Sequence, residues 1–412
     1  MSITTDITSA STGTQSGQAV AFMTDRATLV DALTTVGLAV STTSARPSEG
    51  GVLLEGRDGH LVISATDRDT AVSVRVPDAA RTVGRLLIDH AEITKLLGAL
   101  VKGTRKRDAD TLPVAIKAAE PSTPVVELAG YVVPLTTYPI GECPNLPAVP
   151  PVVAQVDRDT FTAKVTRVLR AVATDPGLPV FTGVKLDIGP GAVTLAGTDR
   201  YRLAVAPVPA VSGAMDVSDS GTLVSGGLLS KIVKRFCGEH VRIGLRPGEP
   251  LSAVSFTCGE VTVVTHPISD QFPAYARLLP ADSAGTIVVD RAALLTQTQR
   301  ASAVLAAKRE RSGSVELRIT PSSVSVAPVL SERADALTAP AVAAQVDGIN
   351  EATAWWFAPG YLADALDSFI GDTITLHPKG RPGQPVLFTD APNGLRDAST
   401  FRHLLMSRTP PK

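Results

Sequence analysis

Two hydrophobic periods alternate along the chain, and the places where one gives way to the other recur at a fixed spacing. Apolar residues at every second position mark half-buried strands, as in Val52–Leu54, Leu61–Ser64, Ala71–Val76, Val114–Lys117 and Val125–Leu128. The alternation returns at Val184–Leu186, Val193–Ala196, Val241–Leu245, Val254–Thr257 and Val261–Thr265. It returns again at Val315–Ile319, Val324–Ala327, Ile374–Leu376, Val386–Thr389 and His403–Met406. Helical period takes over between these runs. Asp25-Arg-Ala-Thr-Leu29 recurs as Asp157-Arg-Asp-Thr-Phe161 and as Asp290-Arg-Ala-Ala-Leu294, at spacings of 132 and 133 residues. Each Asp stands where an N-cap belongs, just before an apolar-periodic stretch. A second helix is expected in each repeat, over Asp89–Val101, Gly226–Phe236 and Pro359–Ile370. Self-similarity at one period means one supersecondary unit used three times. Two helices and several short antiparallel strands per repeat predict an α+β fold. The expected boundaries are a tail over 1–19 and repeats over 20–150, 151–282 and 283–412.

On a helical wheel, Phe161, Val165, Val168 and Val172 form one apolar stripe, and Lys164, Arg167 and Arg170 fall on the opposite side. In the third repeat Leu294, Ala301 and Leu305 make the stripe, with Gln297 and Arg300 turned away. In the first, Leu29, Leu33, Val36 and Val40 line up against Asp31, Thr34 and Thr35. A basic face is usually only a solvated face. Equivalent helices with basic outward faces in two repeats raise the alternative of a shared surface that meets phosphate.

Composition narrows the function. The 412 residues exceed what one core supports, and the hydrophobic fraction of 44% is ample for folding. Net charge is −1, so bulk electrostatic attraction cannot hold the chain on nucleic acid. Any such role must rest on local basic faces or on topology. The three cysteines, Cys143, Cys237 and Cys258, are an odd, scattered set that suits reduced thiols in a cytosol. A metal site from Cys237, His240 and Cys258 lacks a fourth partner at ligand spacing. Neither a metal nor any other cofactor is expected. No apolar run approaches membrane-spanning length. The Ser/Thr/Gly-rich segment Met1–Gln18 lacks a basic start and an apolar core, so it reads as a disordered tail, not a signal peptide. No phosphate loop, nucleophile elbow or His-Glu-x-x-His appears, and no catalytic residue is assigned.

Gly191–Val205 contains the most unusual chemistry. Its alternating Val193–Ala196 run ends in Thr198-Asp199, after which Arg200, Tyr201 and Arg202 place two guanidiniums around one phenol. Leu61-Val-Ile-Ser-Ala-Thr-Asp-Arg68 is an internal relative of Val193-Thr-Leu-Ala-Gly-Thr-Asp-Arg200. The stretch resembles the Ala-Thr-Asp-(Gly/Arg)-(His/Tyr)-Arg-Leu-Ala signature of bacterial sliding clamps, the β subunits of the replicative DNA polymerase. The resemblance covers about residues 20–410. It also includes Phe272-Pro-Ala-Tyr-Ala-Arg277, Pro385-Val-Leu-Phe-Thr389 and His403-Leu-Leu-Met406. It implies three tandem clamp domains forming half of a six-domain ring, with helices lining a hole through which duplex DNA passes. It also implies a homodimer, a cytoplasmic location and no membrane contact.

Carried over position by position, the resemblance implies a peptide pocket walled by Phe181, Thr198, Arg200, Tyr201, Arg202, Leu203, Pro273, Arg277 and Leu278. The third repeat adds Pro385, Leu404, Met406 and position 408. Such pockets receive short Gln/Leu/Phe-containing motifs of the DNA polymerase III α subunit, the clamp loader, and repair and translesion polymerases. The apolar floor is expected from Leu203, Leu278, Leu404 and Met406. The ring seam implied is Val304 and Leu305 against Val133 and Leu135. The residues expected to face DNA are Arg46, by the resemblance, and Lys164, Arg167, Arg170 and Arg300, on the outward helix faces. Three departures stand out: Ser48-Glu-Gly-Gly51 replaces Leu-Pro-Ile-Leu, the loop Thr174-Asp-Pro-Gly177 is acidic, and Arg408 stands where an apolar pocket residue is usual. The last favours an alternative, a specialised clamp paralogue with an altered pocket, for instance one that confers tolerance to a clamp-binding inhibitor. A third reading, an enzyme using Cys237 or Cys258, lacks a paired His.

Overall fold

The structure, a computed structural model, describes residues 20–41, 46–118, 123–212, 220–246, 252–310, 313–330 and 338–409. The expected tail lies outside them. One element order appears three times. The first copy runs β1 (Val20–Asp25), α1 (Arg26–Val36), β2 (Gly51–Arg57), β3 (His60–Thr66), β4 (Thr70–Val76), β5 (Gly84–Asp89) and α2 (His90–Ala99). It continues through α3 (Lys106–Asp110), β6 (Pro113–Ala118), β7 (Val125–Leu128), β8 (Tyr131–Pro134) and β9 (Thr137–Tyr138). The second runs β10 (Val152–Asp157), α4 (Arg158–Leu169), α5 (Pro179–Thr182), β11 (Gly183–Gly189), β12 (Ala192–Thr198), β13 (Arg202–Ser212) and β14 (Ser220–Ser225). It closes with α6 (Gly226–Ile232), β15 (His240–Gly244), β16 (Val254–Cys258) and β17 (Val261–Thr265). The third runs β18 (Thr286–Asp290), α7 (Arg291–Ala307), β19 (Val315–Thr320), β20 (Ser323–Pro328), β21 (Val342–Asp347) and β22 (Thr353–Phe357). Then come α8 (Pro359–Asp367), β23 (Thr373–Pro378), β24 (Pro385–Thr389) and β25 (Arg402–Met406).

By packing, the chain forms two compact units. One is built from the chain up to Pro147 with Glu260–Val263, the other from Ala148–Gly259 and Val264 onward. The second unit therefore holds two copies of the element order found in the first.

All three aspartates expected to start helices do so. Asp25 accepts from the Thr28 N–H, Asp157 from Thr160 and Asp290 from Ala293, at 2.8, 2.7 and 2.6 Å. Each satisfies one of the donors left open in a helix's first turn. In the first unit β1 pairs with β6, and β6–β7–β8 continue that sheet antiparallel. A second sheet orders β4–β3–β2–β5, and α1 buries Leu29, Leu33 and Val36. In the second unit β13–β12–β11–β14 and β15–β10–β13 repeat the plan. The third copy repeats it with β20–β19–β22 and β21–β18–β23–β24–β25.

The helix stripes are buried as the wheel predicts: Phe161, Val165 and Val168 in α4, and Leu294, Ala301 and Leu305 in α7. Three polar residues assigned to the far side are buried instead. Thr35 satisfies its hydroxyl on the Asp31 carbonyl at 2.8 Å. Gln297 donates to the Pro340 carbonyl at 2.8 Å and accepts the Val326 N–H at 3.0 Å. Arg167 is the third. Its partners lie in the third copy.

Candidate functional site

The hairpin from β12 to β13 turns at Thr198–Arg202 through a left-handed residue, Arg200, at φ 81°. That backbone costs an L-residue about 1 kcal/mol, and a compact set of hydrogen bonds offsets it. The Thr198 hydroxyl donates to the Arg202 carbonyl at 2.7 Å and accepts the Arg200 N–H at 3.2 Å. Asp199 accepts the N–H groups of Tyr201 and Arg202 at 3.0 and 3.1 Å, and takes Arg202 Nε at 2.9 Å. Arg200 and Tyr201 are thereby held outward on a fixed turn.

Directly beside the turn, β13 pairs with β25, joining the second and third copies through one antiparallel ladder. Leu203 lies opposite Leu404, and Arg202 opposite Leu405. The Met406 N–H donates to the Tyr201 carbonyl at 2.9 Å, and Pro385 lies opposite Met406 on β24. Leu203 and Leu404 are buried in a cluster with Ala196, Val205 and Leu387, flanked by Phe272, Tyr275, Leu279 and Leu395. The four residues expected as one apolar floor thus divide. Leu203 and Leu404 are core, whereas Leu278 at 52%, Met406 at 41% and Tyr201 at 51% are exposed. Phe181 is half-buried with the Arg200 guanidinium 5.8 Å from its ring. Pro273 is half-buried and Arg277 exposed. The Tyr275 hydroxyl donates to Asp187 at 2.7 Å, and burial followed by that bond pushes its pKa up.

Two neighbours escaped the sequence reading. Tyr361 of α8 stacks on Tyr201 with centroids 5.8 Å apart, and the Arg202 guanidinium lies 4.6 Å from the Tyr361 ring. Asp364, one turn further on, pairs with Arg202 at 2.5 Å. Helical period alone could not single them out, because what distinguishes them is contact with the second copy. Arg202, expected at the pocket rim, is committed to two carboxylates and an aromatic face. Arg408 is exposed but anchored: its N–H donates to the Trp356 carbonyl, and its guanidinium reaches Ser314 Oγ at 2.9 Å and the Gly313 carbonyl at 3.3 Å.

The cations assigned to DNA need revision. Arg167 is only 8% exposed. It donates to the Ser368 carbonyl at 2.6 Å and to both Asp390 oxygens at 2.9 and 3.2 Å, with the Phe401 ring centroid 3.8 Å away. Arg170 pairs with Asp367 at 2.5 Å. Lys164 is half-buried, and desolvation followed by the nearby Arg167 charge lowers its pKa. The basic face of α4 therefore meets carboxylates of the third copy, and Arg167 is no free phosphate contact. Arg46 and Arg300 are exposed. At the expected seam, Leu135 and Leu305 are already buried inside the chain. Val304 at 39% is exposed, Val133 is half-buried, and β8 is the outermost strand of its sheet with Tyr131 and Val132 exposed.

All three cysteines are free thiols. Burial pushes the Cys143 and Cys258 thiols up, the direction that makes a thiol a poorer nucleophile. Among the described residues, no three His, Cys, Asp or Glu cluster to hold a metal, and no helix is long and apolar enough to cross a membrane. His403 is fully buried, its Nδ1 3.0 Å from Ser368 Oγ. Desolvation, with Arg202 and Arg167 adding to it, pulls its pKa down to about 3. It is a neutral core residue behind the turn.

A three-copy α+β chain whose second and third copies share a ladder at a Thr-Asp-Arg-Tyr-Arg turn has the build of a sliding clamp, and the comparisons agree. The family described as DNA polymerase III beta subunit, central domain, matches residues 155–274. The beta sliding clamp of Streptomyces coelicolor is 26% identical over 375 residues, covering 89% of this chain and 95% of that protein. The beta sliding clamp homolog GriR of Streptomyces muensis is 22% identical over 386 residues, 93% and 98% of the two chains. The Pseudomonas aeruginosa sliding clamp, solved bound to griselimycin, superimposes with a TM-score of 0.78 at 19% identity, covering 95% of this chain and 100% of that one. Residues 155–274 thus match a DNA polymerase III beta subunit domain, and the chain as a whole is similar to bacterial beta sliding clamps.

Proposed function

We propose that two copies of this chain close into a ring around duplex DNA and tether the replicative polymerase and other partners, which dock through short peptides at the β13–β25 junction. The ring acts by binding alone, in the cytoplasm, with no cofactor. The observation that supports this best is the ladder between β13 and β25. It shows one copy extending the sheet of the next through an edge strand, and β8 presents a further edge of the same kind. An edge strand left open invites pairing with another chain, and three copies per chain need one partner chain to make six. Exposed Tyr201, Leu278 and Met406 supply adaptable apolar contact beside the Arg200 and Arg277 guanidiniums, the mixture that binds a short peptide with one or two anchors. The test is retention: the protein loaded on a closed circular duplex should stay, and cutting the circle should release it. Release from the intact circle would reject the ring.

A second reading, a specialised paralogue, is favoured by Arg408 and by likeness to the GriR homolog. With its guanidinium tied to Gly313 and Ser314, Arg408 gives the pocket a polar wall where apolar contact is usual. Arg408→Met should tighten a Leu/Phe-anchored peptide by about 1–2 kcal/mol, the value of one restored apolar contact. Calorimetry with that peptide, and separately with griselimycin, measures it. Equal affinities in both proteins would place Arg408 outside the pocket.

A further inference from the structure

Cys237 and Cys258, which the proposed function leaves unused, face each other in the second copy. Cys237 lies in the segment between α6 and β15, and Cys258 is the last residue of β16. Each is followed by a glycine, and the two backbones meet at those glycines. A Cβ on Gly238 would stand 2.4 Å from the Gly259 N, and one on Gly259 would stand 3.0 Å from the Gly238 N. Only residues without a side chain allow that approach. It sets each sulfur against the residue that follows the other cysteine. The Cys237 Sγ lies 2.8 Å from where a Cβ on Gly259 would stand, and the Cys258 thiol donates to the Gly238 carbonyl at 3.5 Å. Burial raises the Cys258 pKa, and the backbone groups of Gly238 and Cys237 beside its sulfur oppose the rise.

The two thiols differ in access. Cys237 is exposed and Cys258 is fully buried, so a reagent in solution reaches the first and not the second. We propose that the pair is a thiol–disulfide exchange site, which takes a small disulfide from solution and closes into a Cys237–Cys258 bond. Cys237, as thiolate, attacks one sulfur of the small disulfide, forming a mixed disulfide and expelling one small thiolate. Cys258 then gives up its proton and attacks the Cys237 Sγ, breaking the mixed bond and expelling the second small thiolate. The protons given up by the two cysteines pass to the two small thiolates. Two protein thiols are thereby oxidised and one small disulfide is reduced. Paired thiols can instead hold a metal, but among the described residues no third His, Cys, Asp or Glu joins them. In a reducing cytosol a disulfide of this kind is transient. While it lasts, it ties the end of β16 to the segment after α6.

The test uses the full chain with Cys143→Ser, which leaves only the pair, and oxidised glutathione as the small disulfide. After an acid quench, intact mass should show the loss of two hydrogens and no retained glutathione. Cys258→Ser should stop at the first step and keep one glutathione on Cys237, as should Cys258→Ala, and Cys237→Ser should scarcely react. The oxidised chain should melt a few degrees higher, because a cross-link restricts the unfolded chain, and a small reducing thiol should reverse the change. In denaturant, at the same glutathione concentration, the mixed disulfide should persist, since nothing then holds the two cysteines together. That last comparison uses the intact pair, so it decides the matter even where a substitution at buried Cys258 disturbs the fold. A glutathione retained by the folded chain with both cysteines would overturn the proposal, as would no reaction at all. Equal closure in the folded and the denatured chain would overturn it too, because the fold would then contribute nothing.

Discussion

Arg167 keeps its charge where little water reaches it because its Nε, its Nη2 and the plane of its guanidinium are all met by the third copy. A carbonyl takes Nε, a carboxylate takes Nη2 on two oxygens, and two phenyl rings cover the plane, at 3.8 Å for Phe401 and 5.2 Å for Phe369. Desolvation nonetheless lowers its pKa, with Asp390 opposing. Arginine suits this task because its weakly hydrated fork stacks and bonds at once. Arg167→Ala would leave the Ser368 carbonyl without its partner and open space between the rings, costing about 1–3 kcal/mol. Asp390, itself partly exposed, would rehydrate and limit the loss. Chemical denaturation should show the drop, and an unchanged midpoint and slope would remove Arg167 from the junction. Nothing in the sequence distinguishes this buried arginine from Arg170 three residues on. Burial of a cation is decided by what the third copy brings to it, and helical period carries no information about that.

Elements were legible wherever their signal is local. The three Asp caps, the stripes Phe161–Val165–Val168 and Leu294–Ala301–Leu305, and the Thr198-Asp199 turn all follow from short-range chemistry, and each is found where the residues put it. Helix ends were less so: α4 stops at Leu169, with Arg170 as its C-cap, not at Val172, and α6 at Ile232, not at Phe236. Contacts between elements account for the rest of what was missed. Tyr361 and Asp364 matter through α8 meeting the β12–β13 turn, and Leu305 proves to be core of its own copy. That last point redirects the seam test. Leu305→Lys would bury an unpaired charge inside the chain and unfold it locally. Val304, its exposed neighbour on α7, is the better probe. Val304→Lys should leave the thermal midpoint nearly unchanged and convert a dimer into a folded monomer in sedimentation. A stable dimer carrying that lysine would place the seam elsewhere.

At the scale of the whole molecule, the net charge of −1 and the pairing of the α4 cations point the same way. A protein held on DNA by 6–10 phosphate contacts loses roughly 10³–10⁵ in affinity between 50 and 200 mM salt. This chain is poorly equipped for that mode, because Arg167 and Arg170 spend their charge on Asp390 and Asp367. Arg46 and Arg300 remain as exposed candidates for loose contact. If a closed ring supplies the retention, salt should act on the two DNA forms differently. On a nicked circular duplex, the residence time of the loaded protein should be nearly the same at 50 and 200 mM salt, set by how often the ring opens. On the same molecule made linear, it should fall sharply at both concentrations, because sliding reaches an end. Residence times that shorten with salt equally on circle and line would mean that charge holds the protein and the ring does not. Arg46→Glu with Arg300→Glu sharpens the comparison, since it should alter residence on the circle only slightly if those residues touch phosphate in passing.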